Sequence, residues 1–177
     1  MAKKFKRYPT VKNDQGLIAA EPEALYYRST SPLDSILFKV FNLIGFIFPS
    51  SMTQHSESDL IPIIRKGLSK KNLDHLMDTT GLDLTTMSKI LHISERTLHR
   101  YTISTILNPE ISERIIEIAR LYAKGQDTFG DLQSFRIWMG HPSIAFNYVE
   151  PSGFLDTSLG IKLIEDELGR IEHGIFA

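Results

Sequence analysis

Arg96 and Arg100 stand four residues apart in the stretch Ser94-Glu95-Arg96-Thr97-Leu98-His99-Arg100-Tyr101. On a helix that spacing puts both guanidinium groups on one face, a turn apart. A guanidinium can bond bidentately to a guanine edge or pair with a phosphate, and the first turn of a helix laid in the major groove reaches the bases. With Leu98 and Tyr101 turned to a core, Arg96 and Arg100 point nearly the opposite way. His99 lies beside them, Thr97 and Glu95 sit at the flanks, and Lys70, Lys71 and Lys89 are available for phosphates. The same pair also suits a plain solvated helix face.

Other chemistry has thin support. Six His residues are present, but His92 and His99 are seven apart and no His-Glu-x-x-His pattern occurs. With no Cys, thiolate metal sites and disulfide scaffolds are excluded. No phosphate-cradling Gly-x-x-x-x-Gly-Lys loop, dinucleotide fingerprint or Gly-x-Ser-x-Gly elbow is found. Glu165-Asp166-Glu167 reads as a solvated face, because three consecutive carboxylates point around a helix rather than converge. The expectation is a protein that is not an enzyme, with no catalytic residue, no metal and no cofactor.

The arginine pair needs a helix held at a fixed angle, and the punctuation around it supplies one. Asp83 can cap a helix over 84–91, and Ser94 can cap another over 95–101, with only His92 and Ile93 between them. Helices so close must cross steeply, so Met87, Leu91, Ile93, Leu98 and Tyr101 seal the junction while Ser88 stays small. This is a helix-turn-helix pattern. The turn residue is His92 where Gly is usual; His tolerates positive φ better than most. Many such folds have been turned to protein binding, so base reading is an expectation and not a consequence.

The remaining signals are helical too. Ser31-Pro32 opens a helix in which Leu33, Ile36, Leu37, Val40, Phe41, Ile44, Ile47 and Phe48 recur at three and four, with Pro49 as its stop. Leu37, Phe41, Ile44 and Phe48 suit the core, leaving Phe38, Phe46 or Ile47 for a partner or a second copy. Pro62 marks the start or bend of a helix near 60–64. Ser69 caps a helix that Gly81 ends, Asn108-Pro109 opens one that Gly125 closes, and a last helix spans about 158–173. No convincing strand alternation appears, so the fold class is all-α.

The chain has 177 residues, 42% of them hydrophobic, with 20 Lys+Arg against 21 Asp+Glu. That is enough to bury a core, and too evenly charged for wholesale disorder. The near-neutral total is uneven: residues 1–28 and 61–107 are each +3, whereas 129–177 are -4. A basic middle and an acidic end suit different partners. The greasiest run, 36–48, is shorter than the roughly 20 residues of a membrane span, and no signal peptide is visible, so no membrane partner is expected.

From about Leu68 to Ala177 the chain resembles the Xre/MbcA/ParS-type antitoxins, whose partner toxins carry the RES domain. The residues that carry the likeness are Ile93-Ser94-Glu95-Arg96-Thr97-Leu98, Ser112-Glu113-Arg114, Ala119-Arg120, Phe129-Gly130-Asp131, Trp138 with Pro142, Pro151, Phe154-Leu155-Asp156-Thr157, Gly160 and Leu168-Gly169-Arg170-Ile171-Glu172-His173-Gly174. Asn147-Tyr148 stand where the family commonly has glycines, so a differently shaped turn is expected there. The first 60 residues match nothing in it.

The resemblance implies a bacterial, cytoplasmic type II antitoxin: a helix-turn-helix domain plus a small helical C-terminal toxin-binding domain. The divisions expected are a basic tail over 1–30, an apolar helix and Ser-rich linker over 31–57, the Xre-like domain over 58–121 and the toxin-binding domain over 122–177. It implies that Glu95, Arg96, Thr97, His99, Arg100 and Lys89 contact the operon's promoter, with the chain as a homodimer. It further implies that Arg170, Glu172, His173, Gly174, Ile175, Phe176 and Ala177 engage an NAD-consuming RES toxin and block its active-site entrance. Gly174 supplies a flexible joint, Ile175 and Phe176 apolar plugs, and the terminal carboxylate with Glu172 a match for phosphate-gripping arginines. Ile175 and Phe176 tucked onto the chain's own core remain the plain alternative. A stand-alone helix-turn-helix transcriptional regulator, with C-terminal helices for dimerisation, is the other functional reading.

Overall fold

A computed structural model describes the backbone of residues 10–13 and 16–19, and residues 36–46 and 56–174 with their side chains. The chain divides after Ser35 into two compact units. In the first, β1 (Thr10–Asn13) and β2 (Gly16–Ala19) pair antiparallel, with Val11 opposite Ile18 and Asn13 opposite Gly16. The sequence reading missed this hairpin, because four-residue strands are too short to show an alternation. The rest of the expected basic tail, the start of the apolar helix at Ser31-Pro32, Phe48, the Ser-rich run up to 55 and the plug residues Ile175 to Ala177 lie outside the described residues.

The second unit is all-α. Its helices are α1 (Ile36–Leu43), α2 (Leu60–Lys66), α3 (Lys70–Thr80), α4 (Leu84–Ile90), α5 (Glu95–Arg100), α6 (Pro109–Phe129), α7 (Leu132–Met139) and α8 (Ser158–Glu172). Short 3-10 turns at Glu57–Asp59, Ile144–Phe146 and Pro151–Phe154 link them. At 21 residues α6 is about 30 Å long, and α1, α2, α3, α7 and α8 all pack on it. Its Ile115, Ile118, Ala119, Leu121 and Tyr122 are buried, so one core serves both halves of the unit.

Local chemistry sets most boundaries. Asn108 Oδ1 accepts from Ile111 N at 2.8 Å, with Pro109 in the first turn, and α6 starts there. Gly81 (φ 72) ends α3 as expected. Pro62 sits in the first turn of α2, where its missing N–H costs nothing. Two stops differ from expectation. α1 ends before Gly45 (φ 70), well ahead of Pro49, and its last carbonyls are taken by α3: Asn72 Nδ2 donates to Ile44 O at 2.8 Å and His75 Nε2 lies 3.0 Å from Asn42 O.

Gly125 does not close α6. It is buried within the helix, and a Cβ there would meet the Phe135 ring at 2.5 Å, so glycine is needed for the close crossing of α7. Gly130 (φ 84) is the true stop. Around that crossing Tyr122, Phe129, Phe135, Trp138, Phe146 and Phe154 form a chain of ring contacts with centroids 5.1 to 6.1 Å apart.

Gly160 makes the other obligatory close approach. A Cβ on it would collide with the Phe154 backbone carbonyl in the turn beneath α8. Gly160→Ala is therefore expected to destabilise the protein by about 1–3 kcal/mol, read as a lower urea midpoint with unchanged m-value.

Candidate nucleic-acid and partner interfaces

α4 and α5 are each fixed by one side chain. Asp83 Oδ1 accepts from Thr86 N at 2.7 Å, and Ser94 Oγ accepts from Thr97 N at 3.1 Å. Between them His92 takes φ 52, the left-handed conformation the turn demands. Ile93 N donates to Ser88 O at 3.0 Å, and Met87, Leu91 and Leu98 are buried at the junction with Ile93 and Tyr101 packed against them. Arg96, Arg100, His99, Glu95 and Lys89 are all exposed. Thr97 is half-buried, and its hydroxyl lies 2.8 Å from Ser94 Oγ, so its polar group serves the cap first.

The flanking lysines divide. Lys71 is exposed, but Lys70 is buried and paired with Asp74, so it does not present a free ammonium to a phosphate. The first N–H groups of α3 are also spent: Lys70 N donates to Thr105 O at 2.8 Å and Lys71 N to Ile103 O at 3.1 Å. This loop after α5 is held by Leu107 N to Leu68 O at 2.8 Å, and by Ser112 Oγ, which accepts from Leu68 N at 2.9 Å.

Arg114 joins this half of the unit to the other. Its Nε donates to Ile90 O at the end of α4 (3.2 Å), while Nη1 reaches Ser158 Oγ (3.0 Å) and Nη2 reaches Asp156 O (2.7 Å) before α8. Glu117 Oε2 balances the charge at 2.6 Å from Nη1. Sequence reading singled out Ser112-Glu113-Arg114 as part of a resemblance but gave Arg114 no role, since its acceptors lie 24 to 44 residues away. Beside it an open cleft of about 1040 Å³ is rimmed by Glu57, Glu110, Glu113 and Glu117. Its acidic lining makes it a poor place for nucleic acid.

Of the expected partner-facing residues in the C-terminal half, Arg170, Glu172, His173 and Gly174 are described, at the end of α8. Arg170 is exposed and bonds Glu167 at 2.7 Å. Glu172 is exposed and accepts from Thr128 Oγ1 at 2.7 Å; His173 Nδ1 lies 2.7 Å from Gly169 O, and Gly174 turns the chain with φ 67. Glu167 is buried, contrary to the solvated-face reading of 165–167, because the third carboxylate of the run rotates onto the core side and keeps Arg170 as partner. Asn147 and Tyr148 hold φ of 52 and 63, so this turn keeps positive-φ geometry without glycine. Among the described residues no cluster of His, Asp or Glu is placed to hold a metal, and no helix is long and apolar enough to cross a membrane.

A family model for the antitoxin Xre-like helix-turn-helix domain matches residues 59–120. A second, for the antitoxin Xre/MbcA/ParS C-terminal toxin-binding domain, matches residues 124–174. Antitoxin Xre of Photorhabdus laumondii is 30% identical over 130 residues, covering 72% of this chain and 85% of that protein. The chain belongs to the Xre family of antitoxins. The antitoxin is also similar to antitoxin Xre of Yersinia enterocolitica, 29% identical over 67% of this chain and 81% of that one. A third relative, the Prs ADP-ribosylating antitoxin of Sphingobium, is 26% identical over 69% of this chain and 83% of its own length. The Arg114 bonds thus tie the segment matched by one model to the segment matched by the other.

Two outcomes follow for the antitoxin. Arg114→Ala strands carbonyls on both sides of the contact and is expected to cost about 2–3 kcal/mol; Arg114→Lys should not restore it, because an ammonium cannot span the same acceptors. Chemical denaturation of the three chains checks this. The second concerns pH. Side-chain and backbone hydrogen bonds from Thr86 hold the Asp83 carboxyl below its ordinary 3.8, and backbone and side-chain bonds from Ser134 do the same for Asp131. A lowered folded pKa stabilises above the unfolded value and is lost as pH falls through the folded one, so stability should decline from about pH 4 downward. Replacing both by Asn, which still caps, should flatten that acid limb in a pH series of thermal melts.

Proposed function

We propose that this antitoxin neutralises a RES-domain, NAD-consuming toxin and represses its own operon. The toxin-binding role is assigned to 122–177, with Arg170, Glu172 and His173 at the contact and Gly174 to Ala177 entering the toxin's active-site mouth. The promoter role is assigned to α5, through Arg96, Arg100, His99, Glu95 and Thr97 with Lys89 on the phosphates, in a homodimer in the bacterial cytoplasm. On this reading the chain acts by binding, without catalysis of its own.

One observation carries the reading most. A capped α5 with an exposed arginine pair and an α8 whose exposed end leads into the tail stand on one scaffold, within consecutive segments that match a helix-turn-helix domain and a toxin-binding domain. The ADP-ribosylating name of the Sphingobium relative supports a partner whose chemistry draws on an ADP-ribose donor. A stand-alone regulator is the competing reading, favoured by the same exposed arginine face.

Co-expression with the product of the adjoining reading frame, where that encodes a RES-domain protein, separates the two. Removal of Gly174 to Ala177 is expected to weaken growth rescue while melting temperature and promoter binding stay as they are. Unchanged rescue removes the plug, and failure of the intact chain to co-purify with the toxin leaves the regulator. Arg96→Ala with Arg100→Ala should cost about 1–3 kcal/mol of promoter affinity per lost base contact at fixed salt, with rescue intact. Undiminished promoter binding would remove the α5 assignment.

A further inference from the structure

Tyr122 on α6 is only 2% exposed, and its ring packs edge-on against Phe135. Its hydroxyl has no hydrogen-bond partner among the described residues. No side-chain oxygen or nitrogen there is both sealed from solvent and unpartnered, so Tyr122 Oη opens onto the space that Tyr122 lines. That space is a cleft of about 380 Å³ between the α3–α4 turn and α7, with Leu82, Ile137 and Met139 as its apolar wall. Arg136 enters the same cleft from α7, and its guanidinium lies against Gly81, where a Cβ would collide with Nη2. Among the described residues the guanidinium has neither a carboxylate partner nor a carbonyl acceptor. The C-terminal end of α3 attracts a cation and accounts for where Arg136 sits. It does not account for a second donor opening on the same space. Burial raises the Tyr122 pKa above its ordinary 10, and the Arg136 charge opposes that rise. The hydroxyl therefore stays protonated, within electrostatic reach of the guanidinium.

We propose that this cleft binds a small oxyanion, a carboxylate or phosphate group, held by the Tyr122 hydroxyl and the Arg136 guanidinium together. Two donors open on one space, and a largely buried polar group without a partner costs free energy that an acceptor restores. Because one donor is permanently charged, a charged acceptor gains more than a neutral one. The lining carries two charges, Arg136 and Asp83. Asp83 is already engaged: its Oδ1 accepts from Thr86 N at 2.7 Å, and Lys89 is the cation that acts on it. The volume lies near the lower end for ligand pockets, so the anion is metabolite-sized, and the apolar wall suits a short carbon body. An occupant would touch the turn before α4 and α7 at once, and so both matched segments. The site stands apart from the toxin and promoter assignments above and does not depend on either.

Methyl NMR of the full-length antitoxin reads the site through Ile137 and Met139. The probes are inorganic phosphate, glycerol 3-phosphate and isovalerate, titrated at constant ionic strength. Tyr122→Phe removes the hydroxyl alone, and Arg136→Gln removes the charge from an exposed side chain, so each variant should melt near the parent without ligand. The parent is expected to show saturable shifts at both methyls with a Kd of about 1 mM or below, and each variant to raise it about tenfold. The tighter arm names the source, phosphate group or carboxylate; equal binding of all three supports an oxyanion site that ignores the carbon body. Should Arg136→Gln melt early, Tyr122→Phe decides alone. Affinity unchanged in Tyr122→Phe reduces the effect to attraction by a surface arginine and overturns the proposal. No saturation below about 50 mM overturns it too, marking an adventitious ion only, as do shifts centred away from Ile137 and Met139.

Discussion

The guanidinium of Arg114 is the constraint on which the arrangement turns. Four donor–acceptor contacts radiate from a side chain only 12% exposed, and they join the end of α4 to the residues that start α8. Only a planar, permanently charged fork can satisfy carbonyls in both directions and still keep a carboxylate beside it. Because Arg114 is carried on α6, the helix that supplies the core to both halves, the end of α4 and the start of α8 are held on one scaffold.

The two candidate interfaces differ in how they are built. The α5 face is polar and prepared locally: a serine cap, a histidine in positive φ and an arginine pair one turn apart. Phosphates and base edges ask for directed donors, and little area needs burying. The exposed face of α8 sets Leu159 and Leu163 beside Lys162, Asp166 and Arg170, and the chain turns after the helix at Gly174. Such a surface gains by losing water against a matching groove, which suits a protein partner better than nucleic acid.

Much of the site was legible in the residue order. Asp83, Ser94 and Asn108 act on backbone N–H groups within three residues, so their caps and the starts of α4, α5 and α6 could be placed from sequence. His92 in positive φ was readable for the same reason, since two residues between two helices leave one way to turn. The arginine pair faces away from Leu98 simply because the helix has 3.6 residues per turn.

What the residue order by itself determined, then, is helix content, most boundaries and which face of α5 is polar, all of them set by interactions within about one turn. Tertiary structure decided the rest. Gly125 reads as a stop, yet it admits the Phe135 ring; Lys70 reads as a free cation, yet it pairs with Asp74 below the loop after α5; Glu167 reads as solvated, yet it is buried. Arg114 reads as one more charge on a long helix, and its acceptors are brought to it only by folding. Each case depends on a group far along the chain, and distance along the chain is the information that periodicity and capping do not hold.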